Sequence, residues 1–306
     1  MSLLSMIKGQ RGASGFGYAS TAEEVTAGVD LHGRNILVTG VNSGIGQESA
    51  RVLAMRGATV LGAARDTAKA AAACRGFGPN AVPVACELSD PASVRACVET
   101  VKQMNVQVDA ILCNAGIMAL PKRELCHGQE LQFLTNHVGH FLLVTGLLDR
   151  LSPTGRVVML SSDAHKMAPA GGIQFDDLTF EKNYRPWKAY GQSKLANMLF
   201  ARPLSRKLAG TGRTANAVHP GVIVTNLGRH MNIVARGALG LASALFLKSI
   251  PEGAATQCYV TTHPSLANVS GEYFADSNVE RSSEYGRDAA LGDRLWAATE
   301  EIVAGL

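Results

Sequence analysis

The chain has 306 residues, of which 46% are hydrophobic and 18% charged, with a formal net charge of +4. That length holds one large α/β core or two small ones, and so slight a basic excess, without basic runs interleaved with aromatics, argues against a nucleic-acid partner. The six cysteines (Cys74, Cys86, Cys97, Cys113, Cys126, Cys258) form no Cys-x-x-Cys and have no histidine at ligand spacing, which suits reduced thiols in a cytosol-like compartment and argues against structural zinc.

Residues 1–30 are rich in Gly and Ser and read as a partly ordered N-terminal arm without the apolar core of a secretory signal. Within the arm, Ser20-Thr21-Ala22-Glu23-Glu24-Val25 reads as a helix start, capped by Ser20 or Thr21 with acids in the first turn. From residue 31 to 306 strands and helices alternate. Asn35–Gly40, Ala58–Ala63, Ala81–Cys86, Val108–Cys113, Arg156–Ser161 and Thr214–Val218 are the expected strands, with a short one at Glu272–Ala275. Gln47–Met55, Ser93–Gln103 and Leu131–Leu151 read as helices between them. The strands are short apolar runs without clean alternation, as expected when helices cover both faces of a parallel sheet. No segment has the unbroken apolar length of a membrane span. The fold class expected is α/β, a single doubly wound parallel sheet of Rossmann type.

Three stretches carry chemistry. Thr39-Gly40-Val41-Asn42-Ser43-Gly44-Ile45-Gly46 joins the first strand to the first long helix. Strand, glycine turn and helix together aim backbone N–H groups and a helix N-terminus at a phosphate. The spacing is Gly-x-x-x-Gly-x-Gly rather than the usual Gly-x-Gly-x-x-Gly, so the loop alone is also compatible with a turn that binds nothing. The second stretch is Asn114-Ala115-Gly116, at the end of the fourth strand. The third is Tyr190-Gly191-Gln192-Ser193-Lys194, whose Tyr and Lys, four apart on a helix, share one face. A free tyrosine has a pKa of about 10, and a neighbouring ammonium favours the phenolate, so the pair suits proton transfer near neutral pH.

In this order and at about these distances, the three stretches resemble the short-chain dehydrogenases/reductases. The resemblance implies a nicotinamide cofactor and a set of site residues. Gly40, Asn42, Ser43, Gly44, Ile45 and Gly46 would cradle the cofactor's diphosphate. At the end of the second strand Arg65 stands where NADP-preferring members place an arginine, which makes NADP the expected cofactor and NAD the lesser alternative. Asp66 could instead hold a ribose, although its place before Thr67-Ala68-Lys69 fits a helix cap. Glu87-Leu88 replaces the usual Asp-Leu beside the adenine, and Cys113 replaces the first Asn of Asn-Asn-Ala-Gly. Asn136, on the helix that follows, matches the Asn that distorts its helix and holds a relay water through its carbonyl. His137 and His140 beside it lie at i, i+3, but without a third ligand they read as packed or solvated histidines rather than a metal site.

The implied catalytic set is Asn136, Ser162, Tyr190 and Lys194, with Ser161 as the alternative to Ser162. Tyr190 would exchange the proton and Lys194 would also bind the nicotinamide ribose. His219-Pro220-Gly221-Val222-Ile223-Val224-Thr225 supplies the turn under the nicotinamide, with Pro220, Gly221 and Val222 against it and Thr225 on the carboxamide or a phosphate. The interval from Ser162 to Tyr190 is about twice the family's usual one. This insertion resembles the subgroup of retinol dehydrogenases, the WW-domain oxidoreductase and the plant chloroplast translocon-associated short-chain dehydrogenase.

Between Thr225 and Pro251 lie Met231, Ile233, Val234, Leu239, Leu241, Leu245, Phe246 and Leu247, with no acid. The segment suits either an apolar face packed on the domain or a helical lid over a bulky, mostly apolar substrate, retinoid-, steroid- or aryl-like. Its Arg229, Arg236 and Lys248 leave peripheral contact with an anionic membrane open. Two functional classes follow: an NADP-dependent oxidoreductase for an alcohol/carbonyl pair, or an NADP-sensing interaction protein. A small-molecule substrate, a homo-oligomer (dimer or tetramer) and a cytoplasmic location, with organellar stroma as the alternative, complete the expectations.

Overall fold

A computed structural model describes residues 9–223 and 247–306. Buried apolar strands alternate with helices that lay one apolar side on the sheet. In chain order the main elements are α1 (Ala22–Val25), β1 (Asn35–Thr39), α2 (Gly44–Met55), β2 (Thr59–Ala64), α3 (Thr67–Cys74), β3 (Ala81–Ala85), α4 (Pro91–Gln103) and β4 (Val108–Cys113). A small hairpin, β5 (Leu125–Cys126) and β6 (Gln129–Glu130), leads into α5 over residues 131–147. Then come β7 (Leu151–Leu160), α6 (Pro186–Lys207), β8 (Thr214–His219), α7 (Ile250–Thr262), β9 (Tyr273–Ala275), β10 (Asn278–Val279), α8 (Glu284–Arg287) and α9 (Ala289–Gly305).

The main sheet has the order β10-β9-β8-β7-β4-β1-β2-β3, and every pairing in it is parallel except β9 with β10. The chain winds outward from β1 to β3, returns to β4 on the other side of β1, and winds outward again. The crevice between β1 and β4 is therefore the switch point where a doubly wound sheet binds its ligand. One apolar cluster on each face of the sheet seals it, with Ile36, Val38 and Leu112 pointing to one side and Leu37, Ile111 and Cys113 to the other. That alternation across fully buried strands is why the sequence shows apolar runs rather than a polar face.

The expected strands and long helices are present, with three differences. β7 begins at Leu151, five residues before the expected start, because its first residues pair with β4 across a bulge near Val108. The predicted helix Leu131–Leu151 ends at Leu147 and contains a π turn over Leu134–Val138. The β10 strand was not legible in Asn278–Val279, two residues paired to β9 through a turn whose Asp276 and Ser277 both adopt positive φ.

The described part of the arm packs firmly. Thr21 caps α1 in a reciprocal box with Glu24, and Ala22 and Val25 are fully buried against the core. Phe16 meets Tyr259 edge-on at 5.6 Å, and Asn278 donates to the Phe16 carbonyl at 3.1 Å. The insertion after Ser162 folds as two short 3-10 turns, Asp163–Met167 and Phe175–Asp177, tied down by Tyr184, which donates to the Leu120 carbonyl at 2.7 Å.

Candidate active site

The parallel sheet brings the loops after β1, β2, β3, β4, β7 and β8 to one edge, and each holds residues singled out above. The glycine turn comes first. Gly40 (φ 75°) and Gly44 (φ 61°) adopt left-handed conformations that other residues resist. Gly46 has a different constraint. A Cβ there would collide with the Asn114 amide and the Gly40 carbonyl, so only glycine lets α2 begin this close to the loop after β4.

Asn114 is the knot of the switch point. Its Nδ2 donates to the Thr39 carbonyl at 2.8 Å, its backbone N–H to Thr39 Oγ1 at 2.9 Å, and its Oδ1 accepts from Gln257 Nε2 at 3.2 Å. Gln257, on α7, also donates to Ser49 Oγ at 2.5 Å and the Ile45 carbonyl at 3.3 Å. No local pattern in the sequence marks Gln257 as part of the site, and Thr39, the first residue of the glycine stretch, has no role of its own in that pattern. Their roles appear only when β1, β4 and α7 meet.

The donor set at this edge fits a dinucleotide. Ser43 precedes α2 without capping it, and no acid lies in the first turn, so the helix N-terminus presents its amides unopposed. Asn42 is exposed beside it, and Ala115 and Gly116 form the wall opposite. At the end of β2 Arg65 is exposed, whereas Asp66 accepts from the Lys69 amide at 2.8 Å and pairs with its ammonium at 2.5 Å. Asp66 is thus the helix cap, as its position before α3 indicated. Glu87 also turns inward on its own loop: Oε1 accepts from Ser89 Oγ at 2.8 Å and from the Ser89 amide at 3.2 Å. Leu88 is buried, and its carbonyl lies where a Cβ on Gly139 would have to go.

Asn136 lies in the π turn of α5, the distortion the family resemblance implied. Its side chain is fully buried and spoken for: Oδ1 accepts from the Ile117 amide at 2.8 Å, and Nδ2 donates to the Ile117 carbonyl and to Ser193 Oγ, both at 2.9 Å. It is a strut for the loop after Gly116. Its carbonyl oxygen accepts from His140 Nδ1 at 2.9 Å. His137 is likewise buried, bonded to Thr299 on α9 at 3.0 Å and packed among Phe133, Phe141 and Phe200. Both histidines are therefore packed and internally bonded; neither is solvated.

The two serines separate cleanly. Ser161 Oγ donates to the Lys194 carbonyl at 2.8 Å and is buried in that contact. Ser162 faces the other way, against the Tyr190 phenol, and its hydroxyl accepts from the Ala164 amide at 3.2 Å. His165 holds the Ser162 carbonyl through Nδ1 at 2.7 Å while its Nε2 accepts from the Ser283 amide at 3.1 Å. Gly191 lets α6 touch this loop, since a Cβ would meet the Ala164 carbonyl and the Ala168 amide at 2.8 Å.

Tyr190 and Lys194 share the expected face of α6, with Nζ 5.7 Å from the ring centroid and donating to the Leu160 carbonyl at 3.0 Å. Their charge states differ from the simple expectation. Burial pushes the Tyr190 phenol up to about 12, and the Ser162 hydroxyl draws it part of the way back. Burial also lowers the Lys194 ammonium to about 8. Both shifts come from the burial of the two groups; the expected lowering of the phenol also needs the positive charge of a bound nicotinamide, which the chain alone does not supply.

After β8, Pro220 is buried, Gly221 has φ 89° and Val222 is exposed. Lys248 lies under this turn, almost fully buried, with Nζ 2.6 Å from Asp276 and 4.8 Å from the Tyr18 ring. It is an internal anchor and is not available to an anionic membrane. Thr225, Arg229, Arg236 and the apolar positions from Met231 to Phe246 lie outside the described residues. Among the described residues no helix is long and apolar enough to cross a membrane.

The short chain dehydrogenase family profile matches residues 34–175. Over 322 aligned positions, covering all of both chains, the protein is 44% identical to short-chain dehydrogenase TIC 32 A, chloroplastic, of Brassica napus. It is 38% identical to retinol dehydrogenase 14 of Mus musculus, over 89% of this chain and 86% of that one. The solved structure of an uncharacterised protein from Mycobacterium paratuberculosis superposes with a TM-score of 0.75 at 34% identity, over 94% of this chain and 98% of the other. A glycine turn knotted to Asn114 at the switch point, a Tyr-Lys helix beside a Ser-Ser strand end, and relatives spanning the whole chain all agree: this protein belongs to the short-chain dehydrogenase/reductase family, oxidoreductases that act on CH–OH groups with a nicotinamide cofactor.

Proposed function

We propose that the chain is an NADP-dependent oxidoreductase for a bulky, mostly apolar alcohol/carbonyl pair, worked by Asn136, Ser162, Tyr190 and Lys194. The observation that carries the reading is the convergence of Ser162 on the Tyr190 phenol, with Lys194 held above the same ring. The α2 N-terminus, Asn42, Ser43 and the wall at Ala115 and Gly116 would hold the diphosphate, Arg65 the 2′-phosphate, and Pro220, Gly221 and Val222 the nicotinamide side. A nicotinamide held there would supply or accept the hydride.

The protein's own residues manage the substrate oxygen and its proton. Ser162 orients that oxygen by a hydrogen bond. Tyr190, kept protonated near neutral pH by burial, is set to donate its proton as a carbonyl becomes an alcohol. Lys194, with its ammonium weakened by the same burial, can pass a proton back to the phenolate. Asn136 holds the 114–117 loop in place by two hydrogen bonds to Ile117 and ties it to Ser193 on α6 by a third.

The apolar preference is supported by the exposed side chains nearest these groups. Met167, Trp187 and Val222 are exposed large hydrophobics on the segments that bear Ser162, Tyr190 and Gly221. The Trp187 ring meets the Tyr190 ring at 6.1 Å. The name of the mouse relative, a retinol dehydrogenase, agrees with a substrate of this kind. The compartment could be cytosolic or, following the plant relative's name, a chloroplast-like stroma.

The test is a carbonyl and alcohol panel run with NADPH and NADH. Retinoid-, steroid- or aryl-type compounds should be turned over in preference to short polyols. Tyr190→Phe should keep NADPH affinity and lose about 10²–10⁴-fold in turnover. Near-native turnover in that variant overturns the assignment. NADPH binding without turnover of any compound would mark a dinucleotide-sensing interaction protein.

A further inference from the structure

His140 joins the two halves of the site, and its chemistry is fixed by its partners. Nδ1 faces the Asn136 carbonyl at 2.9 Å, and a carbonyl can only accept, so Nδ1 carries the proton. Nε2 faces Thr39 Oγ1 at 2.9 Å. That hydroxyl already accepts from the amides of Asn114 at 2.9 Å and Ala115 at 3.0 Å, which fills both of its lone pairs. Its own proton must therefore go to Nε2; the Leu112 carbonyl at 3.5 Å is a much poorer acceptor. Protonating the ring would aim a third donor at Thr39 and break the set. The assigned state is the neutral Nδ1–H tautomer, in a side chain with no solvent exposure. Burial, reinforced by the Lys194 charge, depresses its pKa to about 4.

We propose that His140 is a positioning residue for the cofactor site: one neutral imidazole ties the carbonyl of Asn136 to Thr39, so the glycine turn and the Asn136 strut are set as a unit. Thr39 immediately precedes Gly40 and orders the Asn114 and Ala115 amides. Asn136 orders Ile117 and, through Ser193, the Tyr190 carbonyl, to which Ser193 Oγ donates at 2.8 Å. A displaced imidazole would loosen both ends of the 114–117 loop at once. The inference rests on the reading that this loop and Tyr190 serve one cofactor-dependent site.

The experiment dissects the two arms. His140→Leu removes both, His140→Asn places an amide donor near the Nδ1 position, and His140→Gln places an acceptor near Nε2. NADPH affinity is read by fluorescence titration, turnover separately, and folding by thermal denaturation. His140→Leu should weaken NADPH about tenfold and lower kcat about tenfold, the scale of a lost buried hydrogen bond for each. His140→Gln should restore most of the NADPH affinity, and His140→Asn most of kcat. Thr39→Val should weaken NADPH to a similar degree, and the Thr39→Val/His140→Leu double variant little further. Nitrogen-15 spectra of the imidazole should show the neutral Nδ1–H form from pH 5.5 to 8. The proposal is overturned by an Nε2–H or imidazolium signal, by additive losses in the double variant, by native affinity and turnover in a folded His140→Leu, or by Asn and Gln variants no better than Leu. If the wild-type chain reduces no compound, the oxidoreductase reading falls, and the affinity and tautomer results still decide this one.

Discussion

The ammonium of Lys194 donates to the main-chain carbonyl of Leu160 at 3.0 Å, inside a pocket where the lysine is 3% exposed. Leu160 is the last residue of β7, so the lysine stitches α6 to the strand end that leads into Ser161 and Ser162. Asn197 donates to the same carbonyl, also at 3.0 Å. A cation bonded to a neutral carbonyl is only partly repaid for its lost hydration, which explains the downward shift of the Lys194 pKa.

The pH dependence of stability follows from that shift. With a folded pKa of about 8 and an unfolded value of about 10.4, the unfolded chain binds more protons between those limits. Stability contributed through this group therefore rises as pH increases from about 8 to about 10.4, and below that window the cost is full, on the order of 3 kcal/mol. Lys194→Met should raise the midpoint of denaturation at pH 7, flatten the alkaline limb and abolish turnover. An unchanged limb in the variant would place the shift elsewhere.

The two serines at the end of β7 should fail differently. Ser161→Ala removes the bond to the Lys194 carbonyl and should cost about 1–3 kcal/mol in urea unfolding, with turnover reduced far less than by the neighbouring change. Ser162→Ala should lose turnover by at least tenfold, because its hydroxyl faces Tyr190, while stability falls only by the loss of the bond from the Ala164 amide. Reversed phenotypes would exchange their roles.

Cofactor choice should depend on Arg65 and not on its neighbour. Arg65→Gln should weaken NADPH much more than NADH, since only NADPH carries a 2′-phosphate for the guanidinium to grip. Asp66→Ala should remove the cap of α3, lower the melting temperature slightly and leave the NADPH/NADH ratio unchanged. Equal losses of both cofactors in Arg65→Gln would remove it from the site.

The anchor beneath the Pro220-Gly221 turn should be asymmetric. Asp276→Asn keeps a residue that tolerates positive φ but leaves the buried Lys248 ammonium without its counter-charge. Lys248→Met removes the charge and keeps much of the stem that packs on Gly221. The Asp276 change should therefore lower the melting temperature more than the Lys248 change, and combining them should recover part of the loss. A larger loss from Lys248→Met would show that the ammonium's pairing with Asp276, not the cost of burying its charge, dominates.

By itself the sequence determined the architecture and marked the strand ends around which the candidate site gathers. Apolar runs separated by helical stretches specify a doubly wound sheet, and Gly40, Asn114 and the Tyr190–Lys194 pair identify the strand ends that matter, because backbone turns and i, i+4 faces are local properties. Tertiary structure decided what those residues do to one another. That Ser161 bonds a helix carbonyl while Ser162 meets a phenol depends on how β7 packs on α6. That Tyr190 is raised rather than lowered in the chain alone depends on its burial by separate elements. Lys248 reads as a surface cation and is instead buried against Asp276, and His140 reads as packing yet bridges Thr39 and Asn136, 101 and 4 residues away. Desolvation and long-range hydrogen bonding arise only when distant segments share a volume, and no local pattern along the chain encodes them.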